Sequence, residues 1–296
     1  VALTGTEFAT SATTTSTDRE SRSIWQIRDY IYKASGMYFP EHRRFFLESR
    51  CKRRMEALGI QSFEEYYRYL TRPDVRRQEL QALLNEVTIN ETSFFRNQPQ
   101  FDALRHIFLP EIANRKGSIG FKRLKIWSAG CSSGEEPYSI AIVVHELKAT
   151  LLQGWQIQIL GTDINQTVLD KARQGIYTRY SFRNTPPHMI SRYFKNLGDG
   201  RFELDPAIRR MVEFKNMNLI DEMAILFMKG FDIIFCRNVL IYFDLAAKKH
   251  TIQHFYNALL DEGLLFIGHS ESLFGVNDQF KMVHFPGGMA YKKTKA

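Results

Sequence analysis

RLKIWSAGCSSGEEPYSIAIVVHELKA, Arg123–Ala149, carries the reading of the fold. Its first part, RLKIWSAG (Arg123–Gly130), reads as a buried strand entering a tight turn. From Glu136 onward the apolar residues fit one face of a helix. Further strands are expected downstream at IQILGTD (Ile157–Asp163), VEFKNMNL (Val212–Leu219), FDIIFCRN (Phe231–Asn238) and GLLFIGHSES (Gly263–Ser272). Helices are expected between them, one over NQTVLDKARQG with Gly175 as its C-cap and one around residues 246–260. FKMVHF and MAYKKT, joined by Pro286, Gly287 and Gly288, read as a terminal hairpin. Strands alternating with helices imply a Rossmann-like, doubly wound α/β sheet with right-handed crossovers.

The stretch between Ile176 and Met211 is too long for a plain connection. It contains NLGDGRFEL, a hairpin with Asp199 and Gly200 in its turn, and so predicts a small β-subdomain inserted over about 178–211. Upstream the grammar is helical. Ile24, Ile27 and Ile31, then Phe45 and Phe46, then Phe63, Tyr66, Tyr67 and Leu70, then Leu80, Leu83 and Leu84 recur at helical spacing. Breaks fall at Gly36, Gly59 and Pro73; Ser62 with Glu65 fits a capping box, and Thr71 precedes another helix start. The expected organisation is a disordered Ser/Thr-rich arm over 1–20, an all-helical domain over 21–86, a connector over 87–102 and the sheet domain over 103–296.

In open parallel sheets ligands sit at the carboxyl ends of the strands. Here the first turn offers Gly130 and Gly134 for close backbone approach, and then Glu135 and Glu136. A phosphate site wants bare N–H groups and often a lysine, so paired carboxylates disfavour a dinucleotide. S-adenosylmethionine has no phosphate but carries an ammonium and a sulfonium, which carboxylates attract. The same two acids also suit the positive end of a helix on their own account. Asp163 ends the second strand, where an acid accepts ribose hydroxyls. Asn218 and Asn238 end the third and fourth strands, as ligands for adenine or the amino-acid tail or as turn residues.

NETSFFR (Asn90–Arg96), SAGCSSGEEPYSIAI, GTDIN, KARQGIY, FDIIFCRNVLIYF and GLLFIGHSES together resemble the chemotaxis receptor methyltransferase family, CheR. The resemblance runs from about Ile24 to Tyr291. It implies a helical domain followed by a methyltransferase sheet with an inserted β-subdomain, S-adenosylmethionine as methyl donor and S-adenosylhomocysteine as product. It implies methyl ester formation on glutamates of the helical cytoplasmic bundle of bacterial chemoreceptors. Carried onto this chain, the cofactor contacts are Asn90, Thr92, Arg96, Gly130, Glu135, Glu136, Asp163, Asn218 with Leu219, and Arg237 with Asn238. Arg96 and Tyr242 match the positions acting on the methyl-accepting carboxylate. The hairpin YFKNLGDGRFEL looks shorter than in members that dock a receptor's C-terminal pentapeptide, which favours tether-independent action.

The net charge is +8, so an acidic partner is expected. HRRFFLESRCKRRMEALG crowds Arg43, Arg44, Arg50, Lys52, Arg53 and Arg54 into a few helical turns, a candidate surface for glutamate-rich receptor helices. A solvated helix face has the same composition, and no nucleic-acid-binding motif accompanies the charge. Cys51, Cys131 and Cys236 are widely spaced and odd in number, against a disulfide framework or a zinc site and in keeping with a reducing cytoplasm. The start has no signal-peptide pattern, and no apolar run reaches the roughly 20 residues of a spanning helix, so no direct membrane insertion is expected. The rival readings are a methyltransferase acting on RNA or a small molecule and a non-catalytic cofactor sensor.

Overall fold

The computed structural model describes residues 16–295, and within them the chain forms two units. Residues 16–34 and 39–86 make the first; residues 35–38 and 87–295 make the second.

The first unit is helical: α1 (Ser16–Ser35), a 3-10 turn (Glu41–Arg43), α2 (Arg44–Leu58), α3 (Phe63–Thr71) and α4 (Arg76–Val87). Ile24, Ile27, Ile31, Leu47, Cys51, Tyr66, Leu70 and Leu83 are fully buried and form its core. Gly59 closes α2 at φ 71°, and Ile60 N–H returns to Met55 C=O at 2.9 Å. Ser62 caps α3 by accepting from Glu65 N–H at 3.2 Å. One expectation changes here. The helix begins at Ser16, so residues 16–20 belong to α1 rather than to an arm; the rest of that arm lies outside the described residues. Thr71 is the last residue of α3, its hydroxyl donating back to Tyr67 C=O at 2.9 Å, and the helix it precedes starts only at Arg76.

In the second unit, α5 (Gln98–Ala103), a π-helical stretch (Leu104–Phe108) and α6 (Leu109–Gly117) run on from one another. The sheet follows: β1 (Arg123–Ala129), α7 (Glu135–Lys148), β2 (Gln156–Asp163) and α8 (Gln166–Gln174). The insertion comprises β3 (Ile176–Thr178), a 3-10 turn (Arg179–Phe182), α9 (Pro187–Tyr193), β4 (Phe194–Asn196), β5 (Arg201–Leu204) and α10 (Pro206–Arg209). The chain then completes the sheet with β6 (Val212–Asn216), α11 (Glu222–Leu226), β7 (Phe231–Cys236), a 3-10 turn (Leu240–Tyr242), α12 (Leu245–Ala258), β8 (Leu259–Ile267), β9 (Phe280–Phe285) and β10 (Gly288–Lys293).

The strand order is β6-β2-β1-β7-β8-β10-β9. The first five are parallel, and the β9–β10 hairpin joins antiparallel to β8. Order reverses between β1 and β7, which puts a ligand crevice at their carboxyl ends. Because helices cover both faces, β7 is buried along its whole length, and Phe235 stacks on its register partner Phe266 of β8 at 4.5 Å. The insertion is a separate antiparallel sheet, β3-β5-β4.

Residues 35–38 leave α1 and join the sheet unit. Gly36, at φ 72°, fits closely against Ile220 and Ala247, where a Cβ would come 2.9 Å from the former. Met37 bridges Phe243, and Tyr38 N–H donates to Tyr242 C=O at 2.8 Å.

Candidate functional site

The first strand ends in a turn that only glycine satisfies. Gly130 sits at φ 75°, and a Cβ there would come 2.3 Å from Val239 Cγ2. Its N–H and that of Cys131 donate to Thr162 C=O, locking the turn onto the end of β2. Ser132 follows in a left-handed conformation at φ 51°. Its N–H donates to Asp163 Oδ2 at 2.8 Å and its hydroxyl to Asn90 C=O at 2.9 Å. Asp163 and Asn90 are therefore joined through one serine. Asp163 Oδ1 accepts Asn165 N–H at 2.8 Å. Burial pushes the Asp163 carboxyl above its ordinary value, opposed by these backbone donors. Each oxygen keeps a second lone pair for a ligand hydroxyl.

Glu135 and Glu136 part company. Glu136 accepts from Ser128 hydroxyl at 2.7 Å and from Arg237 Nη1 at 3.1 Å. Glu135 instead accepts from Ser133 and from Ser181 of the insertion, at 2.7 and 2.9 Å. One serine hydroxyl on each oxygen ties the turn before α7 to the insertion.

The connector is pinned on both sides by its adjacent phenylalanines. Phe94 stacks on Phe182 at 5.4 Å and meets Tyr177 and Phe194 edge-on, while Phe95 meets Phe101. Phe95 N–H donates to the buried Ser139 hydroxyl at 2.9 Å. Phe95 and Asn97 both take left-handed angles, φ 52° and 63°, so the backbone reverses around the half-buried Arg96. Arg96 Nη1 donates to Glu91 C=O at 3.0 Å, and Arg96 C=O accepts from Arg237 Nη2 at 2.6 Å. Thr92 C=O accepts from Arg183 of the insertion at 2.9 Å.

Arg237 is thus held between Glu136 and the Arg96 backbone with its side chain 4% exposed. Burial pulls its pKa down from the ordinary value and Glu136 opposes this, yet a guanidinium stays cationic at neutral pH. Its Nε is buried with no hydrogen-bond partner, a donor aimed at nothing in the protein. Asn238 turns left-handed at φ 59°, its N–H donating to Glu271 at 2.9 Å. Asn218 follows β6, its Oδ1 accepting Ile220 N–H at 3.2 Å, beside the buried Leu219. Tyr242 lies in the 3-10 turn after β7, its N–H donating to Val239 C=O at 3.1 Å.

Arg96, Glu136 and Arg237 therefore form one network, with Asn90 and Asp163 a second around Ser132. Sequence reasoning missed Ser132, Ser139 and Glu271. Ser132 and Glu271 lie in polar turns, GCSSGEE and GHSES, where nothing singles out one residue; Ser139 opens the apolar run of α7.

The lining fits S-adenosylmethionine by its donor set. Glu136 and Asp163 supply carboxylates, and Arg237 Nε is a spare buried donor of the kind an amino-acid carboxylate takes.

Residues 90–289 match the model of the CheR methyltransferase S-adenosylmethionine-binding domain, and residues 23–88 match the all-alpha domain of the same family. Chemotaxis protein methyltransferase 2 of Vibrio cholerae is 38% identical over 269 residues, 90% of this chain and 91% of the relative. Chemotaxis protein methyltransferase Cher2 of Pseudomonas putida is 37% identical over 90% of this chain and 96% of its own length. Chemotaxis protein methyltransferase 1 of Pseudomonas aeruginosa is 36% identical over 90% of this chain and 95% of its own. With both domains matched in order and relatives aligned over nearly their full length, the chain belongs to the CheR family of S-adenosylmethionine-dependent chemotaxis protein methyltransferases.

Proposed function

We propose that the protein esterifies glutamate carboxylates on the cytoplasmic helical bundle of chemoreceptors, without pentapeptide tethering. The observation that carries this is the network of Arg96, Glu136 and Arg237 at the β1–β7 switch point of a chain matching both CheR domains. S-adenosylmethionine, when bound, supplies an electrophilic methyl group on its sulfonium. Glu136 and Arg237 suit its amino-acid tail, Asp163 its ribose, and Asn218 with Leu219 its adenine.

The acceptor needs no general base, because a free glutamate with a pKa near 4.3 is already ionised at neutral pH. The residues' work is orientation and exclusion of water. Arg96 holds the acceptor carboxylate by charge-assisted hydrogen bonds, and Tyr242 donates to its second oxygen. Too tight a grip from Arg96 would stabilise the ground state and slow transfer. The short turn between β4 and β5, Leu197–Gly200, supports the tether-independent reading. The three free, buried cysteines suit a reducing cytoplasm.

The test is transfer of labelled methyl to receptor-bearing membranes, followed by base. Release of volatile methanol marks a carboxyl ester, and Arg96→Ala should lower the rate by about a hundredfold or more, the loss expected for a charge-assisted contact made in the transition state. Receptors truncated at the C-terminus should be methylated as well as intact ones. Cofactor binding with no base-labile label on any receptor overturns the glutamate assignment.

A further inference from the structure

Five described residues other than glycine take left-handed angles, and in three of them, Phe95, Ser132 and Asn238, the N–H is caught by a buried side-chain oxygen. Phe95 N–H meets Ser139, Ser132 N–H meets Asp163, and Asn238 N–H meets Glu271. The third clamp is the most unusual. Glu271 is only 8% exposed, yet its Oε2 takes both Asn238 N–H, at 2.9 Å, and Gly268 N–H, at 2.6 Å. Those amides lie just past the carboxyl ends of the parallel neighbours β7 and β8. The second oxygen, Oε1, is buried without a partner. One oxygen therefore fastens two strand ends together and holds Asn238 in a conformation that a free chain would leave. Arg237, immediately before it, feels the same carboxylate as a favourable charge.

We infer that Glu271 is a positioning residue for cofactor binding: by accepting both amides it fixes the left-handed turn that presents Arg237 and Asn238 to the rim. The inference rests on the assignment of Asn238 to the cofactor site. The role belongs to the acceptor oxygen. Glutamine, which keeps one carbonyl oxygen in reach of the two amides, should serve; methionine, of similar length with no comparable acceptor, should not. Gly268 offers an independent handle, since a Cβ there would come 2.6 Å from Glu271 Oε2 and 3.1 Å from Asn238 Nδ2 and push the clamp apart.

The experiment is calorimetric titration of the full chain with S-adenosylhomocysteine, with heat unfolding of each variant alongside. Glu271→Met and Gly268→Ala should each weaken binding by about tenfold, the scale of a lost buried hydrogen bond, and Glu271→Gln should bind within about threefold of wild type. Wild-type affinity in both Glu271→Met and Gly268→Ala overturns the inference. So does a Glu271→Gln variant as weak as Glu271→Met. Asn238→Ala separates the two layers: wild-type affinity there refutes the assignment of Asn238 itself, whereas weak Asn238→Ala beside unaffected Glu271→Met and Gly268→Ala refutes only the clamp.

Discussion

Glu135 and Glu136 are chemically identical neighbours, yet the helix turns them to different partners. At 3.6 residues per turn, consecutive side chains point about 100° apart. Glu136 reaches Ser128 and Arg237, and Glu135 reaches Ser133 and Ser181. Burial is the leading cause that raises the Glu135 carboxyl above its ordinary value of 4.5, with the serine hydroxyls opposing. An acid whose folded pKa is raised binds protons more readily folded than unfolded. Its contribution is most favourable below the ordinary glutamate range and is given up as pH rises toward the raised value. Glu135→Gln removes that loss: one serine hydroxyl keeps donating to the amide oxygen, and the other reverses to accept from the amide NH2. Glu135→Gln should therefore melt higher than wild type at pH 7.5 and at about the same temperature near pH 4, where wild-type Glu135 is largely protonated. Thermal scans at the two pH values check this; a lower melting temperature at pH 7.5 contradicts it. Arg54 shows the same division among residues of one kind. Expected at the receptor face, it pairs instead with the buried Glu79, at 3.0 and 2.8 Å, and Tyr66 completes that network.

Strands were legible where both faces are covered, because the sequence there is dominated by apolar residues and any buried charge, as at Asp232, is paired. FDIIFC, with every residue buried, is β7 as expected. β3 was not legible: three residues, alternately exposed and buried, gain their meaning only from pairing with β5. That Asp163, Asn218 and Asn238 lie at or just past strand ends could be read from the sequence alone. Ser139 and Glu271 could not, since each acts on a backbone amide that is 44 or 33 residues away in the chain. Between elements, one buried ion pair ties α6 to the sheet. Lys116 Nζ reaches Asp232 Oδ1 and Oδ2 of β7 at 2.8 and 2.9 Å, and also Arg123 C=O of β1. Asp232 is fully buried and accepts Lys125 N–H as well. Lys116→Met should cost about 3–5 kcal/mol by stranding that carboxylate. Lys116→Met with Asp232→Asn should recover most of the loss, because the amide still accepts from Lys125 and carries no charge. Urea unfolding of the single and double variants measures both; a double variant no more stable than the single contradicts the account.

At the scale of the whole molecule, a net charge of +8 favours encounter with acidic surfaces, and α2 carries Arg44, Arg50, Lys52, Arg53 and Arg54. Lys52 and Arg53 are exposed, Arg53 pairing with Glu86 at 3.5 Å; Arg43 is half-buried, Arg44 pairs with Glu48 at 2.6 Å, and Arg50 lies over Phe46 at 4.9 Å. The triple substitution Arg50→Glu, Lys52→Glu and Arg53→Glu should slow receptor methylation by about tenfold at low salt, with the gap narrowing as ionic strength rises. Affinity for S-adenosylhomocysteine should stay unchanged. Initial rates across a salt series, beside a binding titration, separate the two effects; an equal loss at every salt concentration contradicts electrostatic docking.

The excursion of residues 35–38 has a topological consequence. The chain crosses between its two units three times, after Ala34, after Tyr38 and after Glu86, so no single cut divides them cleanly. A fragment starting at Val87 would retain every strand but forfeit the short segment whose amide meets Tyr242 C=O and whose Met37 bridges Phe243. The sheet unit thus includes four residues that lie, in the chain, between the two parts of the helical unit. Cutting after residue 86 separates the two lengths of chain but not the two units.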